Sequence, residues 1–191
     1  MRKNDILQLP DSLTSCSALE RLHLGANALT SIPAGLLEAL PNLSELQLYR
    51  NKLVAVPAEI GLLEKLATLS VSGNPKMAGL PEEIAKCQSL KELNLSNMKA
   101  LKAIPAALGL VASLRTLVAA GNAKLKSLPA QLDGLTELQV LDLRLPKKQK
   151  CKIPPSVHEV LVSTHCAVRG GVPPKAKKGG KKGGKGKKKK K

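Results

Sequence analysis

Apolar residues return along this chain in one fixed arrangement, and the arrangement predicts its elements. Leu19, Leu22 and Leu24 are followed by Asn27; Leu43, Leu46 and Leu48 by Asn51; Leu66, Leu69 and Val71 by Asn74. The pattern continues with Leu90, Leu93 and Leu95, where Met98 takes the asparagine slot, then Leu114, Leu117, Ala119 and Asn122. Leu138, Leu141 and Leu143 follow with Pro146 in the slot, and Val157, Val160, Val162 and His165 read as a degenerate seventh unit. The leading positions lie 24, 23, 24, 24, 24 and 19 residues apart. An internal period of this length marks a stack of equivalent layers. Alternation around the second and third apolar positions predicts a short strand in each unit, apolar side chains inward and the residues between them outward. The asparagine falls where the strand turns, and its amide can bond open backbone groups of neighbouring turns.

The second half of each unit is also periodic. Leu29, Ile32 and Pro33 are matched by Leu53, Val56 and Pro57, by Met77, Leu80 and Pro81, by Leu101, Ile104 and Pro105, and by Leu125, Leu128 and Pro129. Each proline opens a short amphipathic run, at 34–40, 58–63, 82–87, 106–111 and 130–135. Proline suits the first helical position, whose N–H has no intrahelical partner. These runs predict short helices that return the chain on the convex side, with the strands stacked in parallel about 4.8 Å apart into a concave sheet roughly 30 Å long.

On these motifs, residues 4–166 resemble the leucine-rich repeat superfamily. The unit length and the Ile-Pro or Leu-Pro junctions are most similar to the intracellular Ras-group-related class. The resemblance implies an α/β, right-handed horseshoe solenoid and a place in intracellular signalling. Met98, Pro146 and the shortened sixth unit depart from the pattern. The expected organisation is a repeat domain over 1–168, of six to seven repeats with an incomplete first one, and a disordered Lys/Gly-rich tail over 169–191. The chain opens on half a repeat without a recognisable polar cap, so the first layer is expected to be covered by a partner or by further chain.

Composition supports a stack. The chain has no Phe or Trp and one Tyr, yet 43% of it is hydrophobic, so one medium-sized side chain repeated in register must fill the interior. The formal net charge of +17 is uneven: residues 169–191 carry 12 Lys or Arg and no acid, and the remaining residues carry 19 bases against 14 acids. The first residues lead into no apolar signal segment, and no run approaches the ~18 apolar residues of a membrane span. With four cysteines expected as reduced thiols, the chain reads as cytoplasmic or nuclear.

The outward strand positions form columns across the concave face. One runs through Arg21, Glu45, Thr68, Glu92, Thr116, Val140 and Glu159; the next through His23, Gln47, Ser70, Asn94, Val118, Asp142 and Leu161. A third runs through Gly25, Tyr49, Ser72, Ser96, Ala120, Arg144 and Ser163. The expected partner-binding residues are the charged and amide members (Arg21, His23, Glu45, Gln47, Glu92, Asn94, Asp142, Arg144) with Tyr49 and Arg50 as anchors, because interface hot spots favour Tyr and Arg. The expected function is a non-enzymatic scaffold binding a protein on this face.

An alternative reading puts function in the tail, as an RNA- or ribosome-associated factor. Lys175, Lys177, Lys178, Lys181, Lys182, Lys185, Lys187, Lys188, Lys189, Lys190 and Lys191 would contact RNA or acidic protein through charge alone, since no aromatic residue is there to stack on bases. The Gly/Lys junction after Ala167 is loosely similar to animal leucine-rich repeat proteins that carry a tRNA-synthetase β-like domain, which this sequence lacks. Cys16 and Cys87 precede leading leucines where other repeats carry Leu or Val, and are expected as core fillers. Cys151, His158, His165 and Cys166 lack zinc-site spacing, so no metal is expected, and no motif points to a cofactor, a small-molecule substrate or catalysis.

Overall fold

The structure, a computed structural model, describes residues 4–146 and 149–174. Its centre is one parallel seven-stranded sheet in chain order. The strands are β1 (Arg21–His23), β2 (Glu45–Gln47), β3 (Thr68–Ser70), β4 (Glu92–Asn94), β5 (Thr116–Val118), β6 (Val140–Leu143) and β7 (Ala167–Gly170). Register follows the period: Leu22, Leu46, Leu69, Leu93, Leu117 and Leu141 pair in one row, and every one of them is buried in a single core running from Leu22 to Leu161. Substantial contacts between elements join neighbouring layers only. Nothing larger than leucine is needed, because each layer presents the same surface to the next.

The convex returns are mostly 3-10 helices, Ala58–Leu62, Glu82–Lys86, Ala106–Leu110 and Ala130–Gly134, with a further one at Asp11–Ser15. One of the proline-led runs forms α-helix, α1 (Ala34–Glu38). Chain length decides which form appears. Leu43 lies ten positions after Pro33, whereas Leu66 lies nine after Pro57, as in each later pair. A 3-10 helix rises about 2.0 Å per residue against about 1.5 Å for an α-helix, so the shorter runs cross the same width by stretching.

The turns are held by an asparagine ladder. The Asn51 amide donates to Leu48 O and Leu24 O, both at 3.0 Å, and its Oδ1 accepts Leu29 N–H at 3.1 Å. Asn74 repeats this with Val71 O, Leu48 O and Leu53 N–H. Asn122 bonds Ala119 O and Leu95 O and accepts Met98 N–H. Met98 has no amide, so one rung is missing between Asn74 and Asn122. Just before each of the first five slots the backbone turns left-handed, at Ala26, Arg50, Gly73, Asn97 and Gly121, with φ between 51° and 76°.

Three expectations are corrected. The segment read as a degenerate seventh strand is a helix, α2 (Pro155–Ser163). Pro155 at its start pre-sets a helical φ, and Val157 and Leu161 are buried four residues apart, which is helix spacing. Glu159, Leu161 and Ser163 therefore leave the concave columns. The seventh strand is Ala167–Gly170, paired to β6, and Val172 bridges to Lys152, so the boundary drawn after 168 cuts through a strand. Finally, Cys16 is exposed, with no helical return of the described residues packed below it, while Cys87 is buried.

Candidate functional site: the concave sheet face

Alternation in β1–β6 places the two outward columns as read from sequence. Arg21 pairs with Glu45, Glu45 with Thr68, Thr68 with Glu92, Glu92 with Thr116 and Thr116 with Val140. The His23, Gln47, Ser70, Asn94, Val118 and Asp142 row runs beside it in the same register. The seventh places belong to Ala167 and Arg169. Arg169 is the residue missed from the sequence, since it was grouped with the tail.

At the N-terminal end four of the expected residues form one cluster. Gln47 Nε2 donates to Glu45 Oε1 at 3.0 Å, and His23 Nε2 lies 2.9 Å from the same oxygen. The Gln47 hydrogen bond holds the Glu45 carboxyl below the usual range; His23 and Arg21 add to this, and partial burial opposes it. Tyr49 follows one step further along, and its ring occupies the space left by the missing side chain of Gly25. Arg50 is not on the strand. It sits in the turn beyond β2 with φ 51°, exposed, its Cγ close over Gly73.

The middle of the face holds a hollow of about 160 Å³, bordered by Gln47, Ser70, Glu92, Asn94, Thr116 and Val118 among others. Hydroxyl and amide groups dominate here. Ser70 Oγ and Ser72 Oγ are 3.3 Å apart, and Asn94 Oδ1 accepts from the N–H and hydroxyl of Ser96 at 3.0 and 2.8 Å. Glu92 is exposed.

At the C-terminal end Arg144 grips Asp142: Nε donates to both carboxylate oxygens at 3.0 and 3.1 Å, and a terminal nitrogen to Oδ2 at 2.6 Å. Asp142 is 5% exposed. The Arg144 hydrogen bond pulls its carboxyl below the ordinary value against the opposing effect of burial, and the charge of Arg169 acts in the same direction as Arg144. A strand places residues i and i+2 on one face, so the Glu45–Gln47, Asn94–Ser96 and Asp142–Arg144 pairs all follow from alternation. Each fixes a donor or acceptor in place. The face offers rigid hydrogen-bonding groups in rows.

Of the former zinc candidates, His158, His165 and Cys166 border an apolar groove between α2 and β7, while Cys151 is buried. Among the described residues no group of three or more His, Cys, Asp or Glu is placed to hold a metal. The tail lysines from Lys175 onward lie outside the described residues.

The family model for a leucine-rich repeat region matches residues 1–166. Among curated proteins, TMV resistance protein N of Nicotiana glutinosa is 31% identical over 104 residues, covering 47% of this chain and 9% of that protein. Leucine-rich repeat and calponin homology domain-containing protein 1 of Mus musculus is 36% identical over 97 residues, covering 50% and 13%. The chain thus spans a small part of the length of these relatives. Among solved structures, the ectodomain of the Arabidopsis receptor kinase HAESA, in complex with an IDA peptide hormone, superposes with a TM-score of 0.71 at 28% identity, over 89% of this chain and 28% of that one. The complex of PEPR1 with AtPEP1 gives 0.67 at 29% identity, over 81% and 21%.

Proposed function

The chain belongs to the leucine-rich repeat family, and from that premise we propose that it is a binding scaffold without chemistry of its own, taking an extended stretch of a protein partner on its concave face. The observation that carries this reading is the strand register, which aligns isolated polar residues into two rows over β1–β6, interrupted only at Val118 and Val140. Side chains pre-fixed by neighbours lose little freedom on binding, which is how a rigid scaffold gains affinity. The structural relatives solved with a peptide hormone support a peptide-like occupant by analogy. By the same analogy we extend the reading to a place in signalling.

The test is affinity purification with Gln47→Ala plus Asn94→Ala on the inner face, beside Glu64→Ala as a control away from it. Proteins retained by the parent and the control but lost by the double variant support the reading, and their identity tests the signalling extension. Equal recovery by all three overturns it.

A further inference from the structure

Most lysines of the described repeats are gathered on one flank, with Lys65, Lys86 and Lys91 outside it. Each strand leaves the sheet through the asparagine turn into a loop that ends at the next proline, and these loops occupy one side of the stack. They run over 27–33, 51–57, 74–81, 98–105, 122–129 and, in the last described part, 149–154. Not one contains Asp or Glu. Lys52 and Lys76 open a series, and the next three loops carry two lysines each in their described parts, ending at Lys150 and Lys152. All are exposed. Asp5 lies in the corresponding stretch of the incomplete first layer, outside the lysine series; the other acids sit on the convex returns (such as Glu59, Glu82, Glu83), on the opposite flank (Glu64, Glu137) and on the concave face.

Two details turn this distribution into a surface. Lys102, Lys124 and Lys126 enclose one hollow of about 400 Å³ together with Ala123. The row also crosses layers in register, since Lys152 N–H donates to Lys126 O at 2.8 Å, and Ser127 bridges to Lys152. Among the described residues none of these lysines is in a salt bridge, whereas Arg115 and Arg144 on other surfaces are. Like charges carried on successive layers repel, and the exposed ammonium groups add no packing to the core. An anionic counterpart relieves that repulsion.

We propose that this lysine flank is a second binding surface, taking the phosphate backbone of a nucleic acid. The strip is one or two lysines wide and five layers long, so its length is about 20 Å. One strand of a duplex presents about six phosphates over that distance. A narrow strip fits a line of charge better than a plane of lipid headgroups. With no aromatic residue in these loops, contact is to phosphates and independent of base sequence. The proposal does not rest on the concave-face reading.

The test uses the full chain and fluorescence anisotropy with three probes, a 30-nucleotide oligouridine RNA, a 30-base-pair RNA duplex and a 30-base-pair DNA duplex, across a salt series. Lys102→Gln, Lys124→Gln and Lys126→Gln are combined in one variant. Lys65→Gln, Lys86→Gln and Lys91→Gln, off the flank, form a control that removes the same charge. Melting curves check that both remain folded. The flank variant is expected to lower the slope of log affinity against log salt by about 2 to 3 on at least one probe, with the control close to the parent. The probe that responds separates RNA from DNA. Equal loss in both variants, or no loss in the flank variant on any probe, overturns the proposal; so does, in a parallel co-sedimentation with phosphatidylserine vesicles, a flank-dependent loss that none of the three nucleic acids shows.

Discussion

Tyr49 lays its ring across the backbone of Gly25: a β-carbon on Gly25 would stand 2.7 Å from Tyr49 Cδ1 and closer still to Cε1 and Cζ. The glycine is therefore a seat for the ring, which explains why a residue so bulky is held in place at the rim of the inner face. Tyr49 is also the only aromatic residue of the chain, so its emission reports this one contact. Gly25→Ala is expected to cost about 1–3 kcal/mol through overpacking and to increase quenching of tyrosine fluorescence by acrylamide. Parent-like melting together with parent-like quenching would count against the seat.

The asparagine ladder predicts a difference between equivalent residues. Asn51 is buried and serves four backbone groups of two layers. Asn27, in the first layer, is only half-buried. Asn51→Ala strands groups that water cannot reach, at about 1–3 kcal/mol for each one left unsatisfied. Asn27→Ala should cost clearly less, because solvent replaces part of what is lost. Urea denaturation of the two variants compares them, and equal midpoints would contradict the burial argument.

Asp142 should make stability depend on pH at the acid end. Its carboxyl is held below the ordinary value by the Arg144 hydrogen bond. A group with a lowered folded-state pKa stabilises the fold above its unfolded value, about 3.9, and loses that contribution as pH falls through the folded value. Asp142→Asn should then melt below the parent at neutral pH, with the gap closing below about pH 4. Melting curves from pH 7 to pH 2 test this. A gap independent of pH would show that the charge of Asp142 plays no part.

Much of this was legible in the sequence, and the failures have identifiable causes. Six strands and their register follow from burial: shifting Leu93 by one residue would turn the core row to solvent, so the period had to be kept. The seventh layer was misread because the sixth unit is short and Val157, Val160 and Val162 suit either spacing; the prolines at 154 and 155 were the overlooked signal. β7, built from Ala-Val-Arg-Gly and exposed along its length, carries no hydrophobic pattern to find. Cys16 has the sequence of a core position and the surroundings of an end. The columns of the inner face were readable, as were the i, i+2 pairs such as Asp142 with Arg144. Arg50 was assigned to the face because neither its identity nor its neighbours announce a left-handed turn.

The cysteines should react in the order of their placement. Burial pushes the thiols of Cys87 and Cys151 up to about 11, and Cys87 Sγ is further held 3.2 Å from Ile60 O. Since the thiolate is the reactive form, iodoacetamide at pH 8 should label Cys16 in the native protein and reach Cys87 and Cys151 only on unfolding. Peptide mapping after timed labelling distinguishes them. Early modification of Cys87 would contradict its burial.

Because the substantial contacts among the described residues join each layer only to the one before and the one after, the described stack has no substantial long-range contact to tie its two ends into one cooperative block. Such a chain frays rather than shatters: heat or tension strips it from its termini inward, and amide exchange should be graded, slowest near β3 and β4.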